Sequence, residues 1–249
     1  MIPPTLRSAP AFASLAFLSF LALTQCKNSP DPVASDGTQY LYKDAFTPSP
    51  QNSDNPDDNT PNLVNVREAI PSIEVDLRYA GTQNVLGKPL YPKDMPCLLH
   101  PATVNKLRKA QTYLNAKGYG LKIWDAWRPP ASQRRLFEES PPEGRDYIAD
   151  PDNFWSQHCN GTAVDVTLVN LRGQEMKMPT DFDSFSKDAA FHYRGGNPTI
   201  QKHVLILQRA MYMAGFYGLE LEWWHFNDVA NHRAEVVFAP EVGVTLPTN

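Results

Sequence analysis

Two short segments constrain this chain more than anything else in it: Ser156-Gln157-His158-Cys159-Asn160-Gly161-Thr162-Ala163-Val164-Asp165 and Glu222-Trp223-Trp224-His225. Between them they hold two histidines, an aspartate and a glutamate, and a fold that uses them together must join two distant stretches of chain. Two neutral imidazoles and one carboxylate are a usual protein set for a catalytic zinc ion, with a fourth position left to water. A further carboxylate that is not a ligand can take a proton from that water. The pattern points to a zinc hydrolase.

The spacing limits how the segments can be built. His158 and Asp165 are an odd interval apart, and in one straight strand that sends side chains to opposite faces. A loop must intervene, and Asn160-Gly161 is a turn signal. His158 is therefore expected on a loop, and Asp165 early on a strand over Ala163–Val169. Glu222 and His225 are also an odd interval apart. They share a site only if the chain bends, or if Glu222 precedes the regular strand. Each segment alone is weakly specific. The remaining histidines read as structural: His100 at a helix start, His192 in a polar loop, His203 on a helix flank, and His232 in the C-terminal segment.

Around these segments the pattern mixes strands and helices. Ile73–Leu77 alternates apolar and acidic residues, as a half-buried strand does. Pro101–Lys117 predicts a helix with Val104, Leu107, Ala110, Gln111 and Leu114 on one stripe, stopped by Gly118 and Gly120. Leu121–Trp124 reads as a short strand, Ala131–Glu139 as a helix entered after prolines, and Ile200–Ala214 as a third helix. In that last helix Val204, Leu207, Ala210, Met211 and Ala214 share a face. Leu221–Phe226 reads as an aromatic strand. Strands with segregated helices suggest an α+β domain. It spans residues 63–249, with no internal repeat and no second break in composition. Of 249 residues, 42% are hydrophobic and 20% charged, enough for a core, and the net charge of −4 argues against nucleic acid as a partner.

The N-terminal stretch reads as targeting rather than fold. Ala11–Leu23 is an apolar run of thirteen residues, too short to span a bilayer comfortably but fitting a signal h-region. Cys26 follows at the place of a lipidated cysteine. The segment Leu23-Thr24-Gln25-Cys26 resembles a bacterial lipobox, departing from it at Gln25. Residues 1–26 are thus expected to be a signal peptide of lipoprotein type, with an ordinary cleaved signal or a retained anchor as alternatives. The chain is then exported, to the periplasm or to a lipid anchor on the cell envelope. Any membrane contact would be through a lipid on Cys26. Residues 27–62, rich in Pro, Ser, Asp and Asn, read as a flexible tether. In an oxidising compartment Cys97 and Cys159 could form one disulfide. They could equally be unpaired buried side chains, and Cys159 could be a fourth metal ligand.

The motif Ser-x-His-x-x-Gly-x-Ala-x-Asp followed by Glu-Trp-Trp-His resembles the zinc D,D-peptidases of the D-alanyl-D-alanine dipeptidase (VanX-type) family. Further matches fall in the same order: Asp76-Leu77-Arg78-Tyr79-Ala80, Asn84-Val85-Leu86-Gly87, Trp124-Asp125-Ala126-Trp127-Arg128-Pro129, and Met178-Pro179-Thr180-Asp181-Phe182-Asp183, in which Pro179 replaces a glycine. The resemblance covers about Ile73 to Phe226. It implies an α+β zinc-peptidase domain whose central, mostly antiparallel sheet is flanked by helices, in the D,D-peptidase/hedgehog-like fold. It implies one zinc ion per chain held by His158, Asp165 and His225, with Glu222 as general base and then acid. Arg128 would steady the oxyanion, and Ser156, Asp183 and Tyr79 would contact a small D,D-dipeptide. Trp223 and Trp224 would pack the core or wall the pocket. Two other readings stand beside this one: a D,D-carboxypeptidase or endopeptidase on longer wall peptides, and a non-catalytic zinc lipoprotein that binds them.

Overall fold

A computed structural model of the protein describes residues 62–247. The expected signal segment with Cys26 and nearly all of the expected tether lie outside the described residues. The strands are β1 (Val64–Asn65), β2 (Glu74–Val75), β3 (Leu98–Leu99), β4 (Tyr119–Asp125), β5 (Ala163–Asn170), β6 (Tyr217–Leu219) and β7 (Glu222–Asn227). The α-helices are α1 (Val66–Ala69), α2 (Pro101–Asn115), α3 (Pro130–Glu139) and α4 (Pro198–Ala214), with short 3₁₀ turns between the elements. Five strands form one sheet in the order β2-β4-β5-β7-β6, and β1 pairs separately with β3. Only β2–β4 is parallel; every other pair is antiparallel. This is the α+β architecture with a mostly antiparallel sheet that the sequence implied. Among the described residues no helix is long and apolar enough to cross a membrane.

The two long helices form where stripes and caps agree. His100 Nδ1 accepts the Ala102 N–H at 3.3 Å at the start of α2, and Pro101 occupies the first turn, where no amide hydrogen is needed. Val104, Leu107, Ala110, Gln111 and Leu114 are all buried, and the helix ends at Asn115, just short of the expected Lys117. Asn197 accepts the Thr199 and Ile200 N–H groups ahead of α4, and Gly215 ends it at φ +92°, a conformation that suits glycine. Helices α2 and α4 pack on each other and against the sheet.

Two strands differ from the sequence reading. Ile73 and Leu77 are buried while Glu74 and Asp76 are exposed, as expected of an alternating segment, but only Glu74–Val75 pairs, with β4. The strand expected over Ala163–Val169 forms as β5 and runs one residue further, to Asn170. Every residue from Ala163 to Val169 is buried, because β5 is the middle strand and both faces of the sheet are covered there.

Register places the chemistry. Asp125 on β4, Asp165 on β5 and His225 on β7 are direct cross-strand partners. Between Ile123 and Asp125 the β4 register shifts by one residue, so Trp124 is an extra residue in that strand. A second shift pairs Gly218 with Phe226 but Leu219 with Glu222. The bend expected between Glu222 and His225 is this irregularity, since a bulge re-aims side chains that a regular pleat would send to opposite faces.

Gly161 terminates the 3₁₀ turn Gln157–Asn160 in the left-handed region, at φ +71°. A Cβ there would lie 2.8 Å from the His100 backbone nitrogen and 2.9 Å from Leu63 Cδ2. Gly161→Ala is expected to destabilise the protein by about 1–3 kcal/mol, lowering the melting temperature by about 2–4 °C per kcal/mol. Thermal unfolding measures it, and an unchanged midpoint would show that the turn relaxes freely.

Candidate active site

The turn that presents His158 is closed by its own side chains. The Ser156 hydroxyl accepts the His158 N–H at 3.3 Å, and the Arg128 N–H donates to the His158 carbonyl at 3.1 Å. His158 thus sits between the loop that follows β4 and the strand β5. Its Nε2 lies 3.2 Å from His225 Nδ1 and 3.3 Å from Asp165 Oδ1, and His225 Nδ1 lies 3.0 Å from the same oxygen. All three side chains are buried. They form the group that could hold a metal ion among the described residues, and Cys159 is not in it.

The donor chemistry fits a cation. His158 Nδ1 is 2.7 Å from the Ala126 carbonyl oxygen, which can only accept, so the ring proton is on Nδ1 and Nε2 presents a lone pair. Asp165 is buried, which opposes its charge, but positive charge and hydrogen bonding on the facing His158 and His225 rings outweigh burial and hold the carboxyl well below the usual carboxylate range; with both rings neutral, a bound cation would have to supply that charge. Two donors on a tetrahedral zinc at about 2.0–2.1 Å are about 3.3–3.4 Å apart, close to the separations seen here. A buried lone pair facing a carboxylate is unfavourable unless a cation lies between them.

Glu222 Oε2 stands 3.8 Å from His225 Nδ1. Burial pushes the Glu222 carboxyl up to about 8, with the carboxylates of Asp165 and Asp183 adding to the shift and His225 opposing it. Arg128 is buried and braced. Its Nε and Nη2 donate to Asp125 Oδ2 at 2.9 and 2.7 Å, and its Nη1 donates to Gln133 Oε1 at 2.8 Å. Burial alone would favour losing the proton, but Asp125 reverses this and keeps the guanidinium charged. A guanidinium has five N–H donors, so these three bonds leave two free for an oxygen in the cavity. Nη2 is 3.8 Å from Asp165 Oδ2, and the guanidinium carbon lies 4.9 Å from the Tyr79 ring centre.

Asp183 is the one described residue other than glycine with positive φ, at +55°. Its carboxylate accepts the Tyr79 hydroxyl and the Val85 N–H, each at 3.1 Å. Burial raises its carboxyl to about 7 against both hydrogen bonds.

His158, Asp165, His225, Glu222, Arg128, Ser156, Asp183 and Tyr79 all line one cavity of about 760 Å³, part of it open to solvent. Trp224, Tyr147, Phe154, Phe185 and Leu219 supply its apolar walls. Trp223 is instead a core residue, packed edge to face on Trp124 and Trp224. Ser156 reaches the cavity, although its observed bond is the one that caps the His158 turn. His100 caps α2, and His192, His203 and His232 lie outside the donor group.

The disulfide considered for Cys97 and Cys159 does not form: both are free and buried. The Cys97 carbonyl accepts the Val66 N–H and the Cys159 carbonyl accepts the Val237 N–H. Burial pushes both thiols up to about 12, which keeps them protonated. The sequence reading gave no role to Asp125, Gln133 or Asn227. Asp125 stands inside the quoted motif, three residues before Arg128, and Asn227 is two residues past His225 on the same strand face. Those spacings were the available signals.

Comparison with known proteins identifies a family. The family described as D-ala-D-ala dipeptidase, peptidase M15, matches residues 59–239. The D-alanyl-D-alanine dipeptidase of Escherichia coli (strain K12) is 33% identical over 168 residues, covering 68% of this chain and 85% of that protein. The D-alanyl-D-alanine dipeptidase of Enterococcus faecalis (strain ATCC 700802 / V583) is 27% identical over 182 residues, 64% of this chain and 88% of that protein. A solved structure of the vancomycin-resistance D,D-pentapeptidase VanY in complex with Zn(II) overlaps 62% of this chain and 94% of its own, at 13% identity and a TM-score of 0.34. With a family match across most of its length, the chain belongs to the D-alanyl-D-alanine dipeptidase family of M15 peptidases.

Proposed function

We propose that the protein is a zinc-dependent dipeptidase that hydrolyses D-alanyl-D-alanine to D-alanine, with His158, Asp165 and His225 holding one zinc ion per chain. The observation that carries this reading is the convergence of those donors beside Glu222, in the cavity that also contains Arg128 and Asp183. Bound zinc would supply a Lewis acid that polarises the scissile carbonyl and lowers the pKa of water. Glu222 takes a proton from the attacking water and passes it to the leaving amine as the C–N bond breaks. A cation beside it draws its raised pKa back toward neutrality, where both directions of transfer are efficient. Arg128 offers its two remaining N–H groups to the oxyanion, from a position that Asp125 and Gln133 have already fixed. Asp183 pairs with the substrate ammonium and Ser156 hydrogen-bonds the dipeptide, while Tyr79 orients Asp183 and walls the cavity.

The test is D-alanine release from D-alanyl-D-alanine by the purified protein, with zinc, with a chelator, and with amino-blocked or longer D,D-peptides as competitors. Zinc-dependent release from the free dipeptide is expected. Release only from longer peptides would replace the dipeptidase reading with a carboxypeptidase or endopeptidase one. Glu222→Gln should keep its zinc and lose about 10²–10⁴-fold in kcat; an undiminished rate would remove Glu222 from its role.

The raised Asp183 carboxyl gives a pH dependence with a definite sign. It is charged above about 7 and neutral below, and only the charged form attracts an ammonium. KM for the dipeptide is expected to rise as pH falls below about 7. Asp183→Asn should have a high KM that no longer responds to pH in that range. A wild-type KM that is flat from pH 6 to 8, a range about one pH unit either side of that value, would argue against the ammonium contact.

Export is supported by the apolar run Ala11–Leu23 and by Cys26 directly after it. In that compartment the dipeptide comes from cell-wall peptide turnover, and Cys26 offers a lipid anchor. Wild-type protein is expected in the envelope membrane fraction and Cys26→Ser in the soluble periplasmic fraction. Both in the cytoplasm would remove this placement.

A further inference from the structure

The two histidines of the metal group enter it through different ring nitrogens. His158 faces the group with Nε2, and its Nδ1–H is fixed by the Ala126 carbonyl at 2.7 Å. His225 faces the group with Nδ1, 3.0 Å from Asp165 Oδ1. For Nδ1 to present a lone pair to a cation, the single proton of neutral His225 must reside on Nε2, and a buried N–H needs an acceptor. The only partner shown for that nitrogen is Asn227 Oδ1, at 3.0 Å. Asn227 is itself buried, two residues further along β7, so the pleat brings the two side chains to one face.

We infer that Asn227 is a positioning residue for the metal site: its amide oxygen holds the His225 proton on Nε2 and so turns Nδ1 into a ligand. The inference rests on the zinc reading above. Without the acceptor, the proton is stabilised instead on Nδ1, where Asp165 accepts it, and that tautomer cannot bind a cation. Asn227 therefore decides between a histidine–aspartate hydrogen bond and a metal ligand. Ala126 plays the same part for His158 with its backbone, which no substitution can remove. Asn227 is the half of the arrangement that a side-chain change can reach.

The experiment is zinc affinity of the full chain, by competition with a chromophoric chelator, for wild type, Asn227→Leu and Asn227→Asp, with apo-protein melting measured alongside. Asn227→Leu keeps the volume and removes the acceptor; its zinc dissociation constant is expected to rise about 10–100-fold. Asn227→Asp restores an acceptor for Nε2–H and is expected to bind zinc at least as tightly as wild type. Imidazole ¹⁵N shifts of zinc-loaded wild type should show His225 protonated at Nε2. Three results would overturn the inference: equal affinity in Asn227→Leu, a loss in Asn227→Asp as large as in Asn227→Leu, or a His225 proton on Nδ1. Wild type that takes up no zinc would overturn it together with the metal reading, whereas wild-type uptake with equal affinity in Asn227→Leu would overturn it alone.

Discussion

The site depends on the register of one strand. Asp165 meets Asp125 on one side and His225 on the other because β5 pairs with β4 and β7 in a single alignment. Slipping β5 by one residue would put Val164 or Val166 where Asp165 stands and drive the carboxylate into the core, since side chains alternate between faces. Val164, Val166 and Leu168 are completely buried, and burying each such side chain contributes about 1.5–3 kcal/mol. The apolar packing of β5 thus fixes the position of its one charged residue. The same alignment explains why β5 is apolar apart from Asp165, the threonine and the terminal asparagine: a central strand tolerates a charge only where other groups answer it.

What answers that charge is built in layers. Asp125 carries Arg128 and accepts the Tyr91 hydroxyl at 2.8 Å. Arg128 is tied through Gln133 to the Ala149 carbonyl, which Gln133 Nε2 reaches at 2.7 Å. Removing either member of the Asp125–Arg128 pair would leave a buried charge unpaired, a loss of about 3–5 kcal/mol. Its retention at the edge of the cavity makes sense if Arg128 needs both charge and fixed aim. The carboxyls of Asp165, Glu222 and Asp183 share the same cavity with only this one guanidinium. Burial accordingly pushes Glu222 and Asp183 toward their neutral forms. A divalent cation among the donors of His158, Asp165 and His225 is the natural counterweight, and it returns to Glu222 the charge that a base requires.

Much of this was legible in the residues. The stripes of α2 and α4 follow from side-chain periodicity, and the ends of α2 from His100 and Gly118, because helix signals are local; Asn197 and Gly215, which cap α4, carry the same kind of signal but were not read. The loop between His158 and Asp165 followed from parity and from Asn160-Gly161. What stayed hidden is non-local. The extra residue Trp124 and the irregularity opposite Leu219 leave no mark in composition, because a bulge is decided by the partner strand. That both faces of β5 are covered depends on helices packed from elsewhere in the chain. The state of Cys97 and Cys159 turned on where the fold buries each of them, which spacing does not encode. Asn227 was visible as a neighbour of His225 but had no meaning until the tautomer of that ring was known.

The cavity divides its tasks between two kinds of scaffold. The cation donors Asp165 and His225 sit on the adjacent strands β5 and β7 as direct cross-strand partners. In the reading proposed above, recognition falls to loops. Asp183 occupies a left-handed conformation costing on the order of 1–3 kcal/mol, and nothing in its own segment requires it. Tyr79 and Val85 impose it from a distant part of the chain. Two residues on, Phe185 stacks on Tyr147 with ring centres 4.9 Å apart, and a Cβ on Gly144 would lie 2.3 Å from the Phe185 ring. The loop bearing Asp183 is therefore clamped at both ends by segments that also line the cavity. Substitutions on the strands act directly on the cation donors, whereas substitutions in Tyr79, Val85, Phe185 or Tyr147 reach Asp183 only through the clamped loop that carries it. Under the proposed reading the first class should abolish the site, and the second should change how well Asp183 meets its ligand.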